Sequence, residues 1–310
     1  MTRQVNTSTL ALSAAALLGL ATLALTRSRP RASAPRGGLP SVRAAKRLNR
    51  AAGTLAASVI ADSAVEHYRG AFHNKAMVAP LLSASLSLLV SAHGNADHRA
   101  RAHRVRDLVY GAAIFTGLLG TGFHVYNVGK RPGGYRWENF FYGAPLGAPG
   151  ALLLSGAAGF LAERVRDTAA GADPRIAGLP AGRTVAGASA LGLLVTAAEA
   201  ALLHFRGAFH DPFMYLPVTV APVSASLLGH AALGRSRPRH RLTRWWLRGT
   251  AVLGFLGAAF HMFGVARNMG GWRNWSQNLL NGPPIPAPPG FTGVALAGLA
   301  ALGLMEDHAE

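Results

Sequence analysis

The chain has 310 residues, 50% of them hydrophobic and only 14% charged, with a formal net charge of +18. That charge fraction is well below the ~25% of an ordinary soluble domain. The basic residues sit in short blocks between long apolar stretches, a membrane pattern that argues against nucleic acid as a partner. With no cysteine, disulfides, thiolate metal sites and iron–sulfur clusters are excluded.

Apolar segments of about 20 residues predict membrane-spanning helices. They fall at 8–26, 51–70, 76–93, 108–129 and 146–162, then at 184–204, 213–233, 249–267 and 290–305. The first could be a signal peptide with Ala32-Ser33-Ala34 as its cleavage site. Arg27, Arg29 and Arg31, just after the apolar run, favour a retained anchor. The linker 27–50 holds eight Lys/Arg, and the loops 94–107, 163–183 and 234–248 hold four, four and six. The other connections and the N-terminal tail share the remaining nine of 31. One strict alternation fits: basic loops and C-terminus cytoplasmic, N-terminus outside, in a bacterial inner (cytoplasmic) membrane.

The pentapeptide Arg-Gly-Ala-Phe-His occurs twice, at 69–73 and 206–210. Shifted by 137, residues 62–136 match 199–273 without a gap at 23 of 75 positions. Five of the six histidines in the first window match: His67/His204, His73/His210, His93/His230, His103/His240 and His124/His261. The other 69 positions match only 18 times, so the histidines stayed while the apolar background drifted. Asp62 faces Glu199, and after a two-residue insertion the pattern resumes as ENFFYGAPLGAP against QNLLNGPPIPAP. The expected fold class is therefore an all-α integral membrane protein of about nine spans. An N-terminal anchor and basic linker (1–50) precede two tandem, parallel four-helix units, 51–165 and 184–305.

In this orientation His67, His124, His204 and His261 lie at one depth near the outer surface, with His73 and His210 in outer loops. Asp62 and Glu199 lie about one and a half turns deeper, and a carboxyl inside a membrane needs a partner. Apart from Arg69 and Arg267 at span ends, no Lys or Arg lies within these spans, so the histidines are the candidates. His93/His230 are expected to pack or snorkel near the inner surface, and His103/His240 to be solvated. The outer GGYRWENFFYG and GGWRNWSQNLLNG segments suit an aromatic belt or a lid. Arg69 and Arg206 suit interface anchors, or partners for propionates if haem is bound.

Three functions fit this pattern. Two imidazoles at equal depth on different spans suit axial ligation of b-type haem, with His67/His124 and His204/His261 as pairs. Small residues in GLLGTGFH and GFLGAAFH would make room for the macrocycle. The implied role is an electron-transfer subunit or membrane anchor of a redox enzyme, with a redox partner subunit on the outer face. Architecture alone makes such units similar to membrane cytochromes b. Alternatively, His67, His73, His124 and Asp62, with His204, His210, His261 and Glu199, would hold Fe, Zn, Cu or Mn in a metalloenzyme or transporter. The third is a structural or assembly subunit without a cofactor. A nucleotide-binding glycine loop, a nucleophile elbow and a His-Glu-x-x-His helix are all missing from the sequence.

Overall fold

The computed structural model describes residues 40–169, 172–234 and 240–307. The anchor expected at 8–26 lies outside them. Ten helices follow in order: α1 (Pro40–Arg69), α2 (Ala79–Ala96), α3 (Arg104–Gly129), the short α4 (Trp137–Tyr142) and α5 (Gly147–Arg166). Then come α6 (Ala181–Arg206), α7 (Leu216–Leu233), α8 (Arg241–Arg267), the short α9 (Trp275–Asn281) and α10 (Pro289–Asp307). A two-residue antiparallel ladder, Arg175–Ile176 with Leu179–Pro180, lies between α5 and α6.

The order of α-helices is the same in both sets, down to the 3-10 turns Lys75–Val78 and Pro212–Tyr215 that lead into α2 and α7, while a 3-10 turn at Gly271–Asn274 precedes only α9. Asn74 and Asp211 start those turns, their side chains accepting from the N–H of Ala76 and of Phe213, each at 2.9 Å. In the first set α1, α2, α3 and α5 pack as a ring, each on its neighbours; α6, α7, α8 and α10 do the same. Within each ring the seam between the second and third helices is the loosest. The sets join chiefly where α10 packs along α1, with Gly293 against Leu55.

Among the described residues six helical segments are long and apolar enough to cross a membrane: Lys75–Ala96, Arg104–Gly129, Ala181–Arg206, Pro212–Leu233, Arg241–Arg267 and Pro289–Glu306. The chain is thus an all-helical protein of multi-pass membrane type. The expected spans 51–70 and 146–162 correspond to α1 and α5, which are not among the six. The physical reason is their position. α1 is enclosed by α2, α5 and α10, with Leu48, Ala52, Leu55 and Val59 buried, so little of it needs to suit lipid. It also starts at Pro40, eleven residues earlier than expected, taking Arg43, Lys46, Arg47 and Arg50 into the helix. A proline in the first helical turn leaves no orphan N–H there.

Candidate functional site

α1, α3, α6 and α8 all end, and α2, α5, α7 and α10 all begin, at one end of the molecule, where three of the five matched histidine pairs gather. The repeated pentapeptide forms one unusual turn in both places. Ala71 and Phe72 have φ of 52° and 45°, and Ala208 and Phe209 have 55° and 45°. Two successive left-handed residues without a glycine between them are strained, by about 1–3 kcal/mol each. The glycines of the motif are not the left-handed residues. Instead, a Cβ at Gly70 would lie 2.9 Å from the Met77 methyl, and one at Gly207 3.1 Å from that of Met214.

The turn returns Phe72 N–H to the His67 carbonyl and Phe209 N–H to that of His204, both at 3.0 Å. It sets the Phe72 and Phe209 rings edge-on to His67 and His204, with centres 6.1 and 6.0 Å apart. Ala208→Val is expected to lower the melting temperature in detergent, because a β-branched residue fits φ of 55° poorly. Ala208→Gly should be tolerated.

Each of the four principal histidines is fixed through Nδ1. His67 bonds the Met77 carbonyl at 2.5 Å and His204 that of Met214 at 2.7 Å. His124 bonds the Pro145 carbonyl, and His261 that of Pro284 at 2.7 Å. A carbonyl only accepts, so Nδ1 carries the proton and Nε2 keeps its lone pair. A second interaction of this kind is what orients a ligating imidazole. His204 and His261 stand on diagonal helices, α6 and α8, with ring centres 6.5 Å apart and planes at 69°. His67 on α1 lies close enough to His124 on α3 for the two to interact electrostatically. All four are half-buried.

The remaining expected ligands point elsewhere. His73 and His210 are exposed and bond back to the Gly70 and Gly207 carbonyls at 2.9 Å. Glu199 accepts the backbone N–H groups of Gly147 and Leu146, capping α5 across the boundary between the sets. Asp62, 9% exposed, has Glu66, Glu199 and Arg69 as its charged neighbours. The carboxylates are therefore not partnered by the histidines. Among the described residues no three His, Asp or Glu side chains come together as a metal-holding group. Arg206 bonds the Phe141 carbonyl at 3.2 Å and lies over Tyr142, and Arg69 pairs with Glu66 at 3.1 Å. The Gly-Gly segments adopt positive φ and are tied down by Asn139, bonded to the Gly134 carbonyl at 2.6 Å, and Asn278, bonded to that of Gly271 at 2.9 Å.

No family model, curated protein or solved structure matches the chain.

The small residues on α3 and α8 serve helix packing. A Cβ at Gly117 would lie 2.5 Å from the Leu153 backbone, and one at Gly254 2.2 Å from Thr292 Oγ1. α5 and α10 thus fill the space beside α3 and α8 that the small residues were expected to leave for a macrocycle.

The opposite end holds a set of residues that the repeat does not reveal. Arg106, fully buried, bonds Glu163 through Nε and Nη2 at 2.8 Å each, Asp97 at 2.9 Å and His93 Nδ1 at 3.1 Å. Arg166, also fully buried, donates to the carbonyls of Gly94, Asp97 and Arg99 at 2.7–3.1 Å. Burial works against charge on Asp97, yet Arg99 and Arg106 hold its carboxyl well below the usual carboxylate range. His103 is half-buried rather than solvated. It donates its backbone N–H to Glu163 at 2.8 Å, and burial, with Arg106 and Arg99 beside it, pushes its imidazole below the usual range. At the positions of Asp97, Arg106, Glu163 and Arg166 the second set has Gly234, Thr243, Leu302 and Met305. A search for charged positions present in only one half would have singled these out.

Proposed function

We propose that the protein is an electron-transfer subunit of the inner membrane that binds b-type haem at two sites, His67/His124 and His204/His261. The observation that carries this is the His204–His261 pair: two imidazoles with Nδ1 occupied, Nε2 free and ring centres 6.5 Å apart. Imidazoles bound on opposite sides of one metal, with bonds of ~2 Å, have ring centres about 6 Å apart. Two protein ligands suffice for haem iron, which brings four nitrogens of its own. A bare Zn would be left short of its usual four ligands. When bound, the haem would supply one-electron redox chemistry. The chain's part is to orient the imidazoles through Met77, Pro145, Met214 and Pro284, and to strain the pentapeptide so that Phe72 and Phe209 wall the first-helix histidines.

The larger architecture belongs to the same proposal: nine spans, with two parallel four-helix units behind an anchor, and the histidine end outside. α1 and α5 would cross inside the bundle, screened from lipid. The redox partner subunit would then meet the outer face. A reporter fused after Gly133 is expected to behave as extracytoplasmic and one after Arg99 as cytoplasmic. For the haem itself, iron and extracted haem should be counted on full-length protein purified from haem-replete cells. Two haems per chain are expected. Stoichiometric non-haem metal, lost on changing the same histidines, would favour the metalloprotein alternative.

A further inference from the structure

The two sets share a carboxyl at one matched position, Asp62 on α1 and Glu199 on α6, but not what meets it. Glu199 accepts the backbone N–H groups of Gly147 and Leu146 at the start of α5. The matched stretch before α10 reads GPPIPAPPG, and Pro286 stands where the first set has Gly147. A proline has no N–H to give. Five of the seven residues 283–289 are prolines, so the non-helical run 283–288 offers a carbonyl at every residue but an N–H only at Ile285 and Ala287. The Ala287 N–H already bonds the Pro284 carbonyl, at 3.3 Å.

Asp62 lies on the face of α1 turned to that run and to α6. Ser58, one turn earlier on the same face, donates to the Pro286 carbonyl at 2.6 Å. Asp62 is only 9% exposed, yet it makes no hydrogen bond or ion pair among the described residues. The charged groups facing it are Glu66 and Arg69 on its own helix and Glu199 on α6. Each has another partner: Glu66 and Arg69 pair at 3.1 Å, and Glu199 holds its two N–H groups. A carboxylate out of water needs a donor or a cation. At the position of Ser58 the second set has Val195. The extra hydroxyl thus occurs only where the carboxyl lacks donors.

We propose that Asp62, Ser58 Oγ and the Pro286 carbonyl form a site for one small monovalent cation of the Na+ class, reached from the histidine end. The oxygens come from both sets, α1 on one side and the entry to α10 on the other, so the ion ties the sets together. Ser58 Oγ and the Pro286 carbonyl keep lone pairs after bonding each other. Proline-broken backbone at matched places of two membrane repeats suits ion coordination. With Glu66 and Glu199 partnered, one negative charge is left, which one monovalent ion neutralises. A divalent ion, whose sites gather several carboxylates, would stay unbalanced. Half-buried Glu66, one turn nearer the end of α1, lies on the way in. The second set holds no such ion, because Glu199 has its donors. The site is independent of the haem assignment.

The experiment treats full-length protein in detergent with a fluorescent carbodiimide, which labels buried carboxyls in their protonated form. Na+ is compared with choline at equal ionic strength, and labelled peptides are identified by mass spectrometry. Labelling of Asp62 in choline should slow about tenfold once Na+ exceeds its Kd about tenfold. Na+ should also raise the melting temperature above that in choline. Asp62→Asn should abolish the rise, and Ser58→Ala should move its midpoint to higher Na+. Val195→Ala, at the matched place in the second set, should leave both effects unchanged. Equal labelling of Asp62 in the two salts, or a Na+-dependent rise that survives in Asp62→Asn, would overturn the site. If the reagent labels Asp62 in neither salt, the melting temperatures decide alone, and the absence of a Na+-dependent rise overturns it. Protein that binds no haem but shows both Na+ effects would overturn only the haem assignment.

Discussion

His261→Ala is expected to halve the haem content, from two per chain to one, while the protein stays folded. In the proposed site the imidazole would be one of two side chains holding the haem, so its loss would leave His204 alone and the haem too weakly held to survive purification. The fold should survive because α8 is held elsewhere: Gly254 lies against Thr292, and Leu247 and Leu253 are buried. The lost bond to the Pro284 carbonyl accounts for only ~1 kcal/mol. His124→Ala should remove the other haem, and the double variant both. His210→Ala is the control. It is equally matched between the halves but is exposed and folded back on Gly207, so haem content should not change. Equal losses in His210→Ala and His261→Ala would show that the histidines act together through stability.

Glu163→Leu should be the most damaging single change at the opposite end. It leaves Arg106 and Arg166 buried with only Asp97 to share, and stripping one partner from a buried ion pair costs about 3–5 kcal/mol. The second set shows what restores balance, because Thr243, Leu302 and Met305 occupy the matching positions there. The triple change Arg106→Thr, Glu163→Leu, Arg166→Met should therefore recover most of the melting temperature lost in the single variant. Asp97 would keep Arg99, at 2.9 Å. A triple variant no more stable than Glu163→Leu would mean that the network is irreplaceable at this end.

The histidine pairs were legible because comparing two halves of one chain makes retained residues stand out against drift. What they bond to was not legible. The acceptors at Met77, Pro145, Met214 and Pro284 are backbone carbonyls, which any residue provides. The same limit misassigned Glu199, whose partners are backbone N–H groups of another helix. A search for matches is also blind to what only one half has, so Arg106, Glu163 and Arg166 went unnoticed. Span placement followed hydropathy closely for the lipid-facing helices. It slipped at α1, which begins at Pro40, because a helix enclosed by others carries charges and hydroxyls that hydropathy reads as a linker. The turn made by the repeated pentapeptide was not legible either, because its positive φ values fall on Ala and Phe rather than on its glycines. Its left-handed Ala-Phe steps depend on tertiary packing around Met77 and Met214, which local propensity does not encode.

The reduced-minus-oxidised visible spectrum of full-length protein, purified from haem-replete cells, tests the central claim most directly. A Soret band with sharp bands typical of six-coordinate bis-imidazole haem, lost stepwise in His261→Ala and His124→Ala, is the expected result. A protein without a Soret band under those conditions would contradict it.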